Sequence, residues 1–157
     1  MKVKVKGLWL FGLSGAGKTF LSKLIYKKLE KAFLIDGDYV RKNVSTDLSF
    51  SKKDRTIQCE RLIGIANIAL KNQCFPIVTS AYLTKKNNAK LDKKKIIVIK
   101  IVRKKKYFLK KSTYKLNKKN IVGKDILYEK FKYQKFYNDK NYKKNIDKLL
   151  KKLKLIF

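Results

Sequence analysis

The sequence predicts an α/β protein, with a central, mostly parallel sheet flanked by helices. Three observations predict it. Short apolar runs rich in β-branched and aromatic residues recur between positions 3 and 102. Longer segments with apolar residues at helical spacing separate them. A glycine loop, GLSGAGKT at 12–19, sits directly between the first apolar run and the first helical one.

Each element follows in order. VKVKGLWLF (3–11) alternates and then turns wholly apolar, as a strand does on entering a buried sheet. KTFLSKLIYKKLEKA (18–32) places Phe20, Leu21, Leu24, Ile25 and Leu29 on one helical stripe. FLID (33–36) is a short buried strand. The segment 50–73 reads as a helix with Ser51 as N-cap and Asp54 at the capping-box position. FPIVTSA (75–81) and KIIVIKIV (95–102) are further strands. From 103 to 126 the periodicity gives way to Lys, Ser and Asn with one glycine, which reads as a loop or lid. KFYND (135–139) is the last expected strand. NYKKNIDKLLKKLKLIF (141–157) is an amphipathic helix with Ile146, Leu149, Leu150 and Leu153 on one side. No repeat or composition shift divides the chain, so residues 1–157 are read as one domain.

Composition sets the background. The 157 residues carry 42 Lys and Arg against 11 Asp and Glu, a net charge of +31, yet 45% are hydrophobic. That apolar share supports a core and argues against wholesale disorder. The charge is nearly all lysine, scattered from Lys2 to Lys154, and reads as compositional bias with no dedicated nucleic-acid partner. Arginine, the better bidentate anion ligand, occurs only at Arg41, Arg55, Arg61 and Arg103, three of them in one short window. The absence of histidine excludes His-based acid–base catalysis and most zinc sites. Cys59 and Cys74 fit no metal spacing and read as free thiols. There is no apolar leader and no run long enough to span a membrane, so no membrane partner and a cytoplasmic location are expected.

Gly12, Gly17, Lys18 and Thr19 satisfy G-x-x-x-x-G-K-[ST], with a strand before and a helix after. In such a loop the backbone N–H groups converge on phosphate, helped by the positive end of the helix dipole. The loop Gly12, Leu13, Ser14, Gly15, Ala16, Gly17, Lys18 and Thr19 is therefore the expected ATP site. Lys18 would neutralise the β- and γ-phosphates, and the Thr19 hydroxyl would ligate Mg²⁺. Asp36 and Asp38 fall at the C-terminal end of the second strand, where α/β proteins place their sites. A carboxylate there holds Mg²⁺ or orients an acceptor hydroxyl.

GLWLFGLSGAGKT, LIDGDYVR, DLSFSKKDR and PIVTSAYL, in this order and spacing, resemble adenylyl-sulfate kinase. The likeness is clear over residues 7–84 and weaker over 107–129. It implies a three-layer P-loop kinase fold, with 107–129 as a lid. It also implies transfer of the ATP γ-phosphate to the ribose 3′-hydroxyl of a nucleotide acceptor. On this resemblance Asp36 orients or deprotonates the hydroxyl and, with Thr19, holds Mg²⁺. Arg41 and Arg55 grip the anionic 5′ group and Phe50 stacks on the base. Asp38, Gln58, Ile121 and Gly123 complete the acceptor side, and a homodimer is compatible with the family.

Departures from the family's pattern fall on that acceptor side. Tyr39 replaces an asparagine, Gln58 another asparagine, Leu83 a serine, and Ile121 a second aromatic. The acceptor therefore stays open between adenylyl sulfate and a cytidine diphosphoramidate of the kind used in capsule modification. A lysine-rich RNA-binding protein and an NTP-hydrolysing switch remain the alternatives of other classes.

Overall fold

The computed structural model describes residues 5–92, 95–104 and 119–155. Positions 107–118 of the expected lid lie outside the described residues. Among the described residues five strands form one sheet in the order β2-β3-β1-β4-β5, every neighbouring pair parallel. They are β1 (Gly7–Phe11), β2 (Ala32–Asp36), β3 (Phe75–Ser80), β4 (Ile96–Val102) and β5 (Gln134–Tyr137). The helices are α1 (Lys18–Tyr26), α2 (Gly37–Asn43), α3 (Lys52–Lys71), α4 (Lys85–Lys90) and α5 (Tyr142–Lys152).

The central strand β1 explains the layering. Because its side chains alternate between faces, Leu8 and Leu10 enter one core while Trp9 and Phe11 enter the other. All four are fully buried, as expected of a parallel strand covered on both sides. The first core joins them to Leu21 and Ile25 of α1 and Ile146 and Leu150 of α5. The second joins them to Cys59, Leu62, Ile63 and Ala66 of α3. The chain is thus a three-layer α/β protein, as its sequence predicts. No helix among the described residues is long and apolar enough to cross a membrane.

Several local details differ from the sequence reading. Helix α1 stops at Tyr26, because the chain turns back through Lys31, whose φ of 51° is left-handed, to start β2. Phe20 is half exposed and meets the Tyr142 ring edge-on, off the apolar stripe. Helices α2 and α4 are too short for apolar periodicity to reveal them. Ser51 caps α3 by accepting from the Asp54 N–H, but Asp54 does not close the box. Its carboxylate accepts instead from the Ser49 N–H and hydroxyl, and the Ser51 N–H donates to Ser49 Oγ.

The order of the strands opens the site. After β3 the chain crosses to the far side of β1, so loops leaving the C-terminal ends of β1, β2, β3 and β4 diverge around a crevice.

Candidate active site

The glycine loop leaves the end of β1 and enters α1 within a few residues. Gly12 has φ 150°, and a Cβ there would lie 2.6 Å from the Ile101 carbonyl oxygen of the next strand, so only glycine fits. The Ala16 N–H donates to Leu13 O at 3.1 Å, curling the loop, and the Leu21 N–H donates to Gly17 O as α1 begins. The Lys18 ammonium donates to Leu13 O at 3.0 Å, within the cradle that its loop forms.

Asp36 connects this loop to the second strand. Its Oδ2 accepts from the Thr19 hydroxyl at 2.9 Å and the Thr79 hydroxyl at 3.2 Å. Its Oδ1 accepts from the Asp38 and Tyr39 N–H groups, capping α2. Four donors thus converge on one carboxylate, which makes it the joint between β1's loop, β2 and β3. The adjoining cavity, about 300 Å³, has Lys18, Thr19, Asp38, Phe50, Arg55 and Ile121 in its lining. The sequence reading placed both aspartates on the acceptor side; of the two, Asp38 lines this space.

Arg41 and Arg55 come together across Phe50. Their guanidinium carbons stand 4.8 and 5.4 Å from its ring centre. Arg41 Nη1 donates to Ser49 O at 2.7 Å. Arg55 Nε and Nη2 donate to Phe50 O and Asn120 O, both at 3.0 Å. Neither forms an ion pair with a carboxylate among the described residues. Burial pulls both guanidinium groups below their ordinary pKa, and for Arg55 the Arg41 charge adds to it. Two half-buried cations that repel each other gain most from an anion between them. Arg61, the third arginine of the window, is spent on a bidentate pair with Asp47.

The remaining expected residues take distinct places. Gln58 is buried and its amide donates to Gly37 O at 3.0 Å, in a small recess shared with Arg41 and Arg55. Ile121 is buried at the cavity wall. Gly123 has φ 86° and receives the Leu13 side chain, with which any Cβ would collide. It therefore joins the glycine loop to the 119–133 segment and does not line the cavity. Tyr39 is exposed and lines neither space, whereas Leu83 is buried in the core beside α3.

Sequence reasoning missed Lys119, Asn120 and Thr79 at the same cavity. Lys119 stands in a lysine-rich stretch, so composition hid it. It also missed a second space of about 880 Å³ on the other side of the loop, lined by Gly17, Phe20, Arg103, Asn138, Asp139 and Tyr142. These residues come from three separate segments that only the sheet order brings together. The two spaces meet at the loop and α1's first turn, so the arrangement suits a donor nucleotide on one side and an acceptor on the other.

The oxygen ligands here suit a hard cation. Thr19 and Asp36 offer a hydroxyl and a carboxylate, enough for Mg²⁺, which keeps several water and phosphate ligands. No group of three or more His, Cys, Asp or Glu poised for a metal occurs among the described residues.

Comparison with known proteins agrees with this geometry. The family model described as adenylylsulphate kinase matches residues 4–132. An adenylyl-sulfate kinase of Rippkaea orientalis is 38% identical over 84 residues, 51% of this chain and 46% of the relative. One from Clostridium acetobutylicum is 33% identical over 96 residues, 57% and 48% of the two chains. This chain thus spans about half the length of the curated relatives it matches. The APS kinase CysC of Mycobacterium tuberculosis, solved in complex with AMPPNP and APS, superposes with a TM-score of 0.78 at 21% identity, covering 96% of this chain and 98% of that one. That likeness concerns the fold.

Proposed function

Because the chain belongs to the adenylylsulphate kinase family, we propose that it is an ATP-dependent kinase acting on the ribose 3′-hydroxyl of a nucleotide with a diphosphate-like 5′ group. One observation carries the reading. A phosphate loop ending in Lys18 and Thr19 shares a cavity with Asp38, Phe50 and Arg55, and the unpaired Arg41 stands beside it. A hydrolysing switch has no use for that second anion site.

Each residue then has a task. The loop N–H groups and Lys18 hold the β- and γ-phosphates and offset the charge that spreads over them during transfer. Arg41 and Arg55 hold the acceptor's 5′ anion and Phe50 supports its base. Asp38, facing the cavity, accepts the 3′-hydroxyl proton as the new P–O bond forms. The bond from the γ-phosphorus to the β-phosphate oxygen breaks, and ADP departs. Asp36 acts one step back, orienting the Thr19 hydroxyl. Thr19 and Asp36 would hold Mg²⁺, which when bound neutralises phosphate charge.

Adenylyl sulfate is the acceptor that the family suggests. Ile121 supports a second reading, because an aliphatic side chain in the cavity that Phe50 also lines relaxes the demand for a purine. A cytidine diphosphoramidate then competes. The test is ATP turnover against a panel of both acceptors and water alone. Acceptor-dependent ADP formation with a 3′-phosphorylated product supports the reading. Turnover that no acceptor accelerates refutes it.

A further inference from the structure

The back of the glycine loop is held by two side chains outside its motif. Arg103 Nη1 donates to Gly15 O at 3.3 Å, and Asn138 Nδ2 donates to Ala16 O at 2.8 Å. The second is the better formed. A backbone carbonyl only accepts, so the Asn138 amide must present its nitrogen there. Asn138 is itself fixed, since its N–H donates to Val102 O at 2.8 Å where β4 and β5 end side by side.

Peptide geometry gives this contact a consequence. No cis peptide occurs among the described residues, so the Ala16 carbonyl and the Gly17 N–H lie in one plane and point in opposite directions. With Asn138 holding the carbonyl, the Gly17 N–H is directed away from Asn138. That N–H is one of the donors a phosphate cradle needs. The fit is mutual, because a Cβ on Gly17 would collide with Asn138 Nδ2.

We propose that Asn138 is a positioning residue for phosphate binding: by holding Ala16 O it aims the Gly17 N–H at the phosphates of the nucleotide. It does so from the wall of the larger cavity, so the end of β5 sets the shape of the loop after β1. The proposal rests on the loop being a nucleotide site.

Calorimetric binding of ADP and of adenosine to the unaltered protein, Asn138→Ala, Asn138→Asp and Lys18→Ala tests both layers. The alanine variant removes the donor; the aspartate variant keeps the size and sets an acceptor against an acceptor. Either Asn138 change should weaken ADP about tenfold, the scale of one hydrogen bond and the donor it orients, while adenosine affinity stays within about twofold. A residue that merely builds the cavity wall would weaken both ligands together, and that result overturns the proposal. So does unchanged ADP affinity in the Asn138 variants while Lys18→Ala weakens it. Unchanged ADP affinity in Lys18→Ala instead removes the nucleotide reading itself. If either Asn138 variant fails to fold, the other carries the comparison, and the Gly17 amide resonance of the unaltered protein gives a third readout. It should shift strongly on ADP addition, and a Gly17 resonance that ADP leaves in place overturns the proposal.

Discussion

The Thr19 hydroxyl donates to Asp36 Oδ2 at 2.9 Å, tying the first turn of α1 to the C-terminal end of β2. The same carboxylate caps α2 through Oδ1. One side chain therefore serves the geometry of the phosphate loop and the placement of Asp38, one residue into the helix that it caps. This division separates the two aspartates of LIDGDYVR, which look equivalent in the sequence.

The first prediction follows from that division. Asp36→Ala removes a helix cap and should lower stability by about 1 kcal/mol, seen as a lower thermal midpoint before any substrate is added. Asp38→Asn keeps the cap and the fold. Its kcat should fall at least about a hundredfold, with KM for ATP little changed, because the acceptor hydroxyl loses its proton acceptor. Normal kcat in Asp38→Asn would return that task to Asp36.

Lys18→Ala should leave a folded protein, since Lys18 belongs to a surface loop and stands outside both hydrophobic cores. Phosphoryl transfer should drop at least about a hundredfold, the usual weight of a group facing developing phosphate charge. Circular dichroism and ATP turnover on the same sample decide it.

Arg55→Lys keeps the charge but loses the planar fork that spans Phe50 O and Asn120 O. KM for the acceptor should rise about tenfold while KM for ATP stays put. Equal changes in both constants would mean that Arg55 serves the fold more than the acceptor.

The thiols should differ sharply. Burial pushes the Cys59 thiol from its ordinary 9.0 up to about 12, and its Sγ lies 3.0 Å from Tyr82 O. Iodoacetamide at pH 8 should therefore label the partly exposed Cys74 and leave Cys59 until urea is added. The sign for stability follows. The unfolded thiol ionises above about 9 while the folded one holds its proton to about 12. Its contribution is thus complete below pH 9 and is lost as pH rises through that window. Mass spectrometry of the labelled peptides checks the first point, and urea midpoints between pH 8 and 11 the second.

Ile121→Phe should add a second aromatic to the cavity that Phe50 lines. The ratio of kcat/KM for adenylyl sulfate over the cytidine acceptor should rise by about 1 kcal/mol, one stacking contact. An unchanged ratio would remove Ile121 from base selection.

What the sequence determined by itself is the local and the periodic. GLSGAGKT announces its loop because glycine backbone freedom, one lysine and one hydroxyl have to be adjacent in the chain to serve one phosphate. GLWLF reads as a doubly covered strand because both of its faces are apolar, and Ser51 reads as a cap because the cap's acceptor and donor lie three residues apart. Tertiary structure decided whatever depends on contacts across the sheet. It joined Asp36 to Thr19 and Thr79 and left Asp38 to the cavity, a difference that two residues spaced i, i+2 do not encode. It paired Arg41 and Arg55 across Phe50 while spending Arg61 on Asp47. It brought Asn138 behind Ala16, 122 positions earlier, because strand order places the end of β5 beside the loop after β1. It also gave Lys119 a cavity wall, which a chain with lysine throughout could not single out. Side-chain chemistry travels with the sequence, whereas which groups meet is set by how the parallel strands are ordered.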